Sequence, residues 1–280
     1  MARSTGFSGA DAQDDFLRAR RSQTLARLAR RLRRTPGDVD LILPFEEVVA
    51  ALGRTGEHSL GLQAVALDSI VGTVDRMTGF DRSFRPTSGR LRPRWERVAG
   101  ARRRGESLPP VSLYRVGELH FVRDGHHRVS VARALGQDPI DAFVTEVQTR
   151  LGADREIRLS DLPLKSHERL FRERVPLGPD ELARVRPSDG WSFASLAEGV
   201  EAWGFRAMQE RGEFMDRAQV AREWFAHDYL PVVEMLREAD LLGAGAEADA
   251  YMRVTEARYR LLRTHEWSDE ILAALRGELS

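Results

Sequence analysis

The run Phe121-Val122-Arg123-Asp124-Gly125-His126-His127-Arg128-Val129-Ser130-Val131-Ala132-Arg133 leaves the backbone few options. Aromatic and β-branched residues before Asp124 favour a strand. Val129, Ala132 and Leu135 recur every three residues and give a helix from about His126 to Leu135 a buried face. Gly125 lies between the two and lets the chain turn, and Gly136 supplies a C-terminal stop. Upstream, Val111–Val116 and Leu119–Val122 read as paired strands joined at Gly117-Glu118, and downstream Ile140–Val147 reads as a further strand. The order strand, hairpin strand, glycine turn, helix, strand describes a compact α+β unit.

A helix opened in this way presents free backbone N–H groups and the positive end of its dipole. An anion held there gains about 0.3–2 kcal/mol from the dipole, and charge-assisted bonds from arginine add to it. Gly125 allows a phosphate to approach with no β-carbon in the way, and His126, His127 and Arg128 add side-chain donors. Asp124 has several candidate roles: capping the helix, holding a divalent cation such as Mg2+, or taking the proton of a substrate hydroxyl. The plain alternative is that Asp124 only caps and the histidines decorate the first turn. A metal reading would join His120 to His126 or His127, since two adjacent helical residues do not face one ion together.

The chain contains no cysteine, which excludes disulfides, thiolate nucleophiles and Fe–S ligation. Lys165 is the only lysine and no G-x-x-x-x-G-K-[ST] occurs, so phosphate contacts fall to arginine and backbone amides. Arginine is unevenly placed. Residues 1–34 hold nine against three acids, and residues 82–104 hold nine against one, whereas residues 105–280 carry 23 basic and 31 acidic groups. The segments 16–34 and 82–104 are therefore candidate contacts for nucleic-acid phosphates, or they dock on the protein's own acidic part. Arg85 and Arg92, expected in a loop before the helix at 93–104, are candidate phosphate ligands. No run approaches the roughly 18–20 apolar residues of a membrane-crossing helix, and the start Met1–Ala10 lacks the apolar stretch of a secretory signal. The expectation is a cytoplasmic protein with no membrane partner.

The rest of the chain reads as follows. A helix spans about Asp14 to Arg34 with Leu25, Leu28 and Leu32 on one face, and Pro36-Gly37 ends it. Pro44 opens a short helix stopped by Gly53. Val65–Leu67 forms a short strand, continued or turned at Ile70-Val71. From Ser160 onward the pattern is helical, with Ser192, Asp216 and Ser268 as caps and Gly212 and Gly243 as stops. Trp203, Phe205, Trp224, Phe225, Tyr229, Tyr251 and Tyr259 supply its core.

Residues 111–147, preceded by the strand near Leu62–Val71, resemble the centre of the ParB/sulfiredoxin superfamily, in which a Gly-x-x-Arg turn and the helix after it grip nucleotide phosphates. The likeness covers about residues 60–150 and rests on Asp124-Gly125-His126-His127-Arg128. That form is closest to the branch in which ParB-like domains phosphorylate free serine. The full chain, including Ala202-Trp203-Gly204-Phe205 and Thr264-His265-Glu266-Trp267, resembles a ParB-like family of high-GC bacteria. The resemblance implies an α+β fold: a small ParB/sulfiredoxin-like mixed-sheet domain at 59–150, a helical and partly disordered lead-in at 1–58, and an all-helical region at 151–280.

It also implies a nucleoside triphosphate ligand, ATP or CTP, with Mg2+, on Gly125, His126, His127 and Arg128, with Arg85 or Arg92 as the upstream arginine. Four departures restrict it. Sulfiredoxin chemistry needs a cysteine. The partition-protein box reads Gly-Glu-Arg-Arg, so only Gly125 and Arg128 carry over, and the arginine motif after Glu-Asn is missing. No helix-turn-helix follows the core, so sequence-specific DNA reading is not implied. The functional expectations are, in order, a nucleotide-binding regulator that switches how two subunits or a partner dock, a small-molecule kinase of the serine type, and a nucleic-acid-associated protein without sequence preference.

Overall fold

A computed structural model describes residues 5–33, 41–74, 79–153, 156–243 and 245–262. The chain divides into two compact units, Met1–Ser166 and His167–Ser280. The first is a mixed α+β unit and the second is helical, in agreement with the expected class.

The first unit contains α1 (Ser8–Arg33), β1 (Leu43–Pro44), α2 (Phe45–Leu52), β2 (Arg54–Val65), β3 (Ile70–Thr73), α3 (Arg92–Arg103), β4 (Val111–Val116), β5 (Leu119–Asp124), α4 (His126–Ala134) and β6 (Ile140–Thr149). The six strands form one sheet in the order β1-β3-β5-β4-β6-β2. β1, β3 and β5 run parallel, β4 pairs antiparallel with β5 and parallel with β6, and β2 pairs antiparallel with β6. β2 extends through residue 58, where the lead-in was expected to end.

Successive strand residues face opposite sides of a sheet, and each side here has its own core. Ile70, Val111, Leu113, Val122, Ala142 and Val144 pack with Phe16, Phe84, Trp95 and Val129. Val71, Val116, Phe121 and Val147 pack with Phe45, Val48 and Leu52. Trp95 is fully buried, meets Phe16 edge-on at 5.6 Å between ring centroids, and donates its indole N–H to Ser130 Oγ at 2.8 Å. That bond ties α3 to α4.

The packed face of α1 differs from the expected one. Leu25, Leu28 and Leu32 are exposed, and the buried stripe is Asp11, Ala12, Asp15 and Phe16. The spacing is helical, but two of its four positions are acidic. Burial of those carboxylates is offset by Arg103 of α3, which donates to Asp15 at 2.7 Å and lies 3.4 Å from Asp11. The Asp15 partner and the Coulomb field of both acids hold the Arg103 guanidinium above its usual pKa, against the opposing effect of burial. A pair across two arginine-rich segments thus serves packing. Arg92, expected in a loop, is the first residue of α3 and pairs with Glu96 one turn later.

The helical unit comprises the end of α5 (Leu162–Arg174), then α6 (Pro179–Arg184), α7 (Ser192–Arg211), α8 (Arg217–Trp224), α9 (Leu230–Glu238) and α10 (Glu247–Leu262). Asp216 caps α8 through a reciprocal bond pair with Gln219, and Gly212 ends α7 in a left-handed conformation. Ser192 is the first residue of α7 and not its cap. Trp224, Phe225, Tyr229 and Tyr251 are buried, Trp203 packs against that core, and Phe205 is exposed at 61%. Pro36-Gly37 and Ser268 fall outside the described residues, as does the side chain of Tyr259.

α7 and α8 meet at Gly204, where an added β-carbon would lie 2.4 Å from Val220 Cγ1. Gly199, five residues earlier in the same helix, has nothing within 4 Å of that position. Gly204→Ala is expected to cost about 1–3 kcal/mol through overpacking. Gly199→Ala is expected to gain about 0.5–1 kcal/mol through helix propensity. Urea unfolding of the two variants beside the parent chain checks the pair.

Candidate functional site

The turn between β5 and α4 is built around Gly125, which has φ 105° and ψ 21°. A side chain in that region is strained, and a β-carbon here would also fall 2.5 Å from Val111 Cγ1 on the neighbouring strand. Gly125 is the residue before α4 and brings no side-chain cap. The first bond of the helix is Val129 N–H to Gly125 C=O at 3.0 Å, so the amides of His126, His127 and Arg128 have no intrahelical acceptor. They sit beyond the C-terminal ends of the parallel strands β3 and β5, where open sheets with helices after their strands place ligands.

The two histidines are buried and held differently. His126 Nε2 lies 2.7 Å from Thr73 Oγ1 at the end of β3, and Thr73 in turn donates to the Val122 carbonyl at 3.3 Å. The His126 ring lies nearly parallel to Phe80 at 6.4 Å. His127 meets Phe80 edge-on at 5.4 Å. Its Nδ1 is buried and has no hydrogen-bond partner among the described residues. Burial, followed by the nearby charges of Arg94 and His126, lowers the His127 pKa to about 4.

Arg128 is anchored and not free. Its Nη1 donates to the carbonyls of Pro109 at 2.6 Å and Pro110 at 2.8 Å, and its Nη2 bonds Asp124. The guanidinium is 16% exposed and the Asp124 carboxylate 65% exposed. Asp124 therefore ends β5 as the outer partner of Arg128 and does not cap α4. Arg128 also lines a small cleft of about 90 Å3 with Arg102, Pro109 and Gln137.

Arg85 lies elsewhere. It lines a cleft of about 470 Å3 bounded by Asp15, Arg18 and Ser22 of α1 and by Ser130 and Arg133 on the flank of α4. Arg133 itself bonds the carbonyls of Leu67 and Ile70. Gly125 to Arg128 are thus gathered with Asp124, while neither Arg85, on its separate cleft, nor Arg92, on Glu96, is seen to join them. His120 faces Ser69 at 2.9 Å. No three His, Cys, Asp or Glu residues among the described ones gather as a metal-holding group.

Three residues of the site were not singled out in the sequence: Thr73, Phe80 and Arg94. Thr73 follows the apolar run Ile70-Val71 as an ordinary strand residue, and Phe80 follows a glycine. Only the fold places them against the histidines. Arg94 was one of nine arginines with no local mark. No protein-family model, curated protein or solved structure matches the chain.

The low pKa of His127 sets a pH dependence. The unfolded chain protonates this residue near 6.5, whereas the folded chain resists protonation to about 4. Its contribution is therefore intact above pH 6.5, declines as the pH falls from 6.5 to about 4, and is level below that. Urea unfolding of the parent and His127→Gln from pH 7.5 to 4 tests this. The stability difference is expected to move in favour of the variant across that window.

Proposed function

We propose that this protein is a ParB-like nucleotide-binding regulator of the cytoplasm, which takes the phosphates of a nucleoside triphosphate at the opening of α4. The observation that carries the reading is the left-handed Gly125. Its missing β-carbon leaves room for Val111 and sets three helix-opening amides at the ends of two parallel strands. The unmet Nδ1 of His127 adds a buried polar atom of the kind that a bound molecule or an ordered water satisfies. The nearby Arg94 and Arg128 supply positive charge.

In this reading Arg128 has two jobs. It fixes the turn through the Pro109 and Pro110 carbonyls, and its Asp124-facing edge exchanges the carboxylate for a phosphate oxygen. That exchange frees Asp124 and couples occupancy of the turn to a change in surface charge, which is the property a switch needs. The exposed Asp124 carboxylate also supports a second reading, in which it holds Mg2+ beside the phosphates for transfer to a small hydroxyl compound.

Calorimetric titration with ATP, ADP, CTP and GTP, with and without Mg2+, tests the proposal. Binding of at least one triphosphate more tightly than its diphosphate is expected. Arg128→Ala should weaken it by about tenfold or more, the scale of a charge-assisted bond. Asp124→Ala separates the two readings. If the carboxylate only competes for Arg128, the variant binds severalfold tighter under both conditions. If it holds the ion, binding weakens when Mg2+ is present. A chain that takes up none of the four nucleotides contradicts the proposal.

A further inference from the structure

The helical unit contains a cavity of about 480 Å3, walled by α7, by α10 and by the segment that joins α8 to α9. That joining segment, Phe225–Tyr229, is a turn of π-helix in which the Leu230 amide bonds back to the Phe225 carbonyl. Pro231 explains it: with no N–H to give to the carbonyl four residues earlier, the helix widens there. The wide turn buries Phe225 and Tyr229 and leaves Asp228 between them on the cavity wall. Such turns are frequent at functional sites.

The polar groups of the cavity divide into satisfied and unsatisfied ones. Asp228 accepts the phenol of Tyr251, which itself accepts the indole N–H of Trp224 at 2.9 Å. Burial first, and then the Asp228 charge and its hydrogen bond, push the Tyr251 phenol well up, so it stays protonated as the donor. Burial lowers the pKa of Arg258, which is 2% exposed, and the Asp228 charge opposes that only in part. Glu256 is exposed at the rim.

Two groups remain. Arg206, partly buried on α7, has neither an ion pair nor a hydrogen bond among the described residues, and its charge is among those that lower the Arg258 pKa. Thr255 Oγ1 is buried with no hydrogen-bond partner, although a helical threonine can bond a carbonyl one turn back. The remaining wall is apolar and includes Leu196, Val200, Trp203 and Met252.

We propose that this cavity binds a small organic monoanion, a carboxylate on an apolar or aromatic body, with the carboxylate on Arg206 and Thr255 and the body against Trp203 and Met252. The charges support a single negative group. Arg258 lies in the field of Asp228, Glu256 is exposed at the rim, and Arg206 has neither an ion pair nor a hydrogen bond among the described residues. A neutral ligand leaves Arg206 unpaired in a partly desolvated site, and a cation adds repulsion from two guanidiniums. The assignment uses only residues of the helical unit and does not depend on the α4 reading.

The test is calorimetry on the full chain with octanoate and indole-3-acetate beside their neutral counterparts, 1-octanol and indole-3-ethanol. At least one carboxylate is expected to bind about tenfold or more tightly than its alcohol, the scale of one charge-assisted contact. Arg206→Gln should remove that preference while leaving alcohol binding unchanged, and Thr255→Val should weaken the carboxylate severalfold. Thermal melting of each variant monitors folding. Should Arg206→Gln not fold, Thr255→Val decides: unchanged carboxylate affinity overturns the proposal. It is likewise overturned if neither carboxylate binds at millimolar concentration, or if alcohol and carboxylate bind alike.

Discussion

The turn from β5 into α4 can be made only where residue 125 has no side chain. Val111 of β4 occupies the space that a β-carbon would need, and the left-handed backbone would strain any other residue. Two consequences follow from one missing methyl group. The strand pair β4–β5 closes tightly against the start of α4, and the opening residues of α4 are set at the ends of β3 and β5. His126 then reaches Thr73, which fastens the helix to the parallel side of the sheet, while Trp95 fastens it to α3 through Ser130. The candidate site and the fold share this corner, so neither can be altered there without the other.

Arginine works largely as an internal fastener in this chain. Arg103 joins α3 to two carboxylates of α1, Arg133 ties α4 to the carbonyls of Leu67 and Ile70, and Arg128 holds the Pro109-Pro110 turn. The planar guanidinium suits this use because it can serve several oxygens in one plane while remaining charged when partly desolvated. A cluster of arginines in the sequence was therefore an ambiguous sign of a polyanion partner. Several of the nine in 82–104 have partners within the protein, and Arg103 among them is held by Asp11 and Asp15 of α1.

Where local chemistry dictates structure, the sequence was readable. Gly117-Glu118, Gly125 and Gly136 mark the hairpin, the turn and the helix stop, and Asp216 caps α8 as its spacing with Gln219 allows. Where partners are distant, it was not. The buried face of α1 contains Asp11 and Asp15, so an apolar stripe pointed to Leu25, Leu28 and Leu32, which are exposed. Only knowledge that Arg103 lies opposite makes the acidic face a packing face. The strand expected at Val65–Leu67 shares only Val65 with β2, because the polar residues of β2, Arg54 to Ser59, pair along an exposed edge of the sheet where burial leaves no apolar pattern. In the site, the motif residues were legible and their company was not. Thr73, Phe80 and Arg94 come from three other segments, and Arg85, which a linear reading placed beside the motif, lines a separate cleft.

The central claim is that the amides of His126, His127 and Arg128 receive an anion. Amide 1H–15N spectra recorded during addition of pyrophosphate, and then of ATP, address those three groups individually. The account predicts that their signals shift first and saturate together with that of Gly125, whereas amides at the distant C-terminal end of α4 stay nearly fixed. Saturating shifts confined to other segments, with these four signals unmoved, would contradict it.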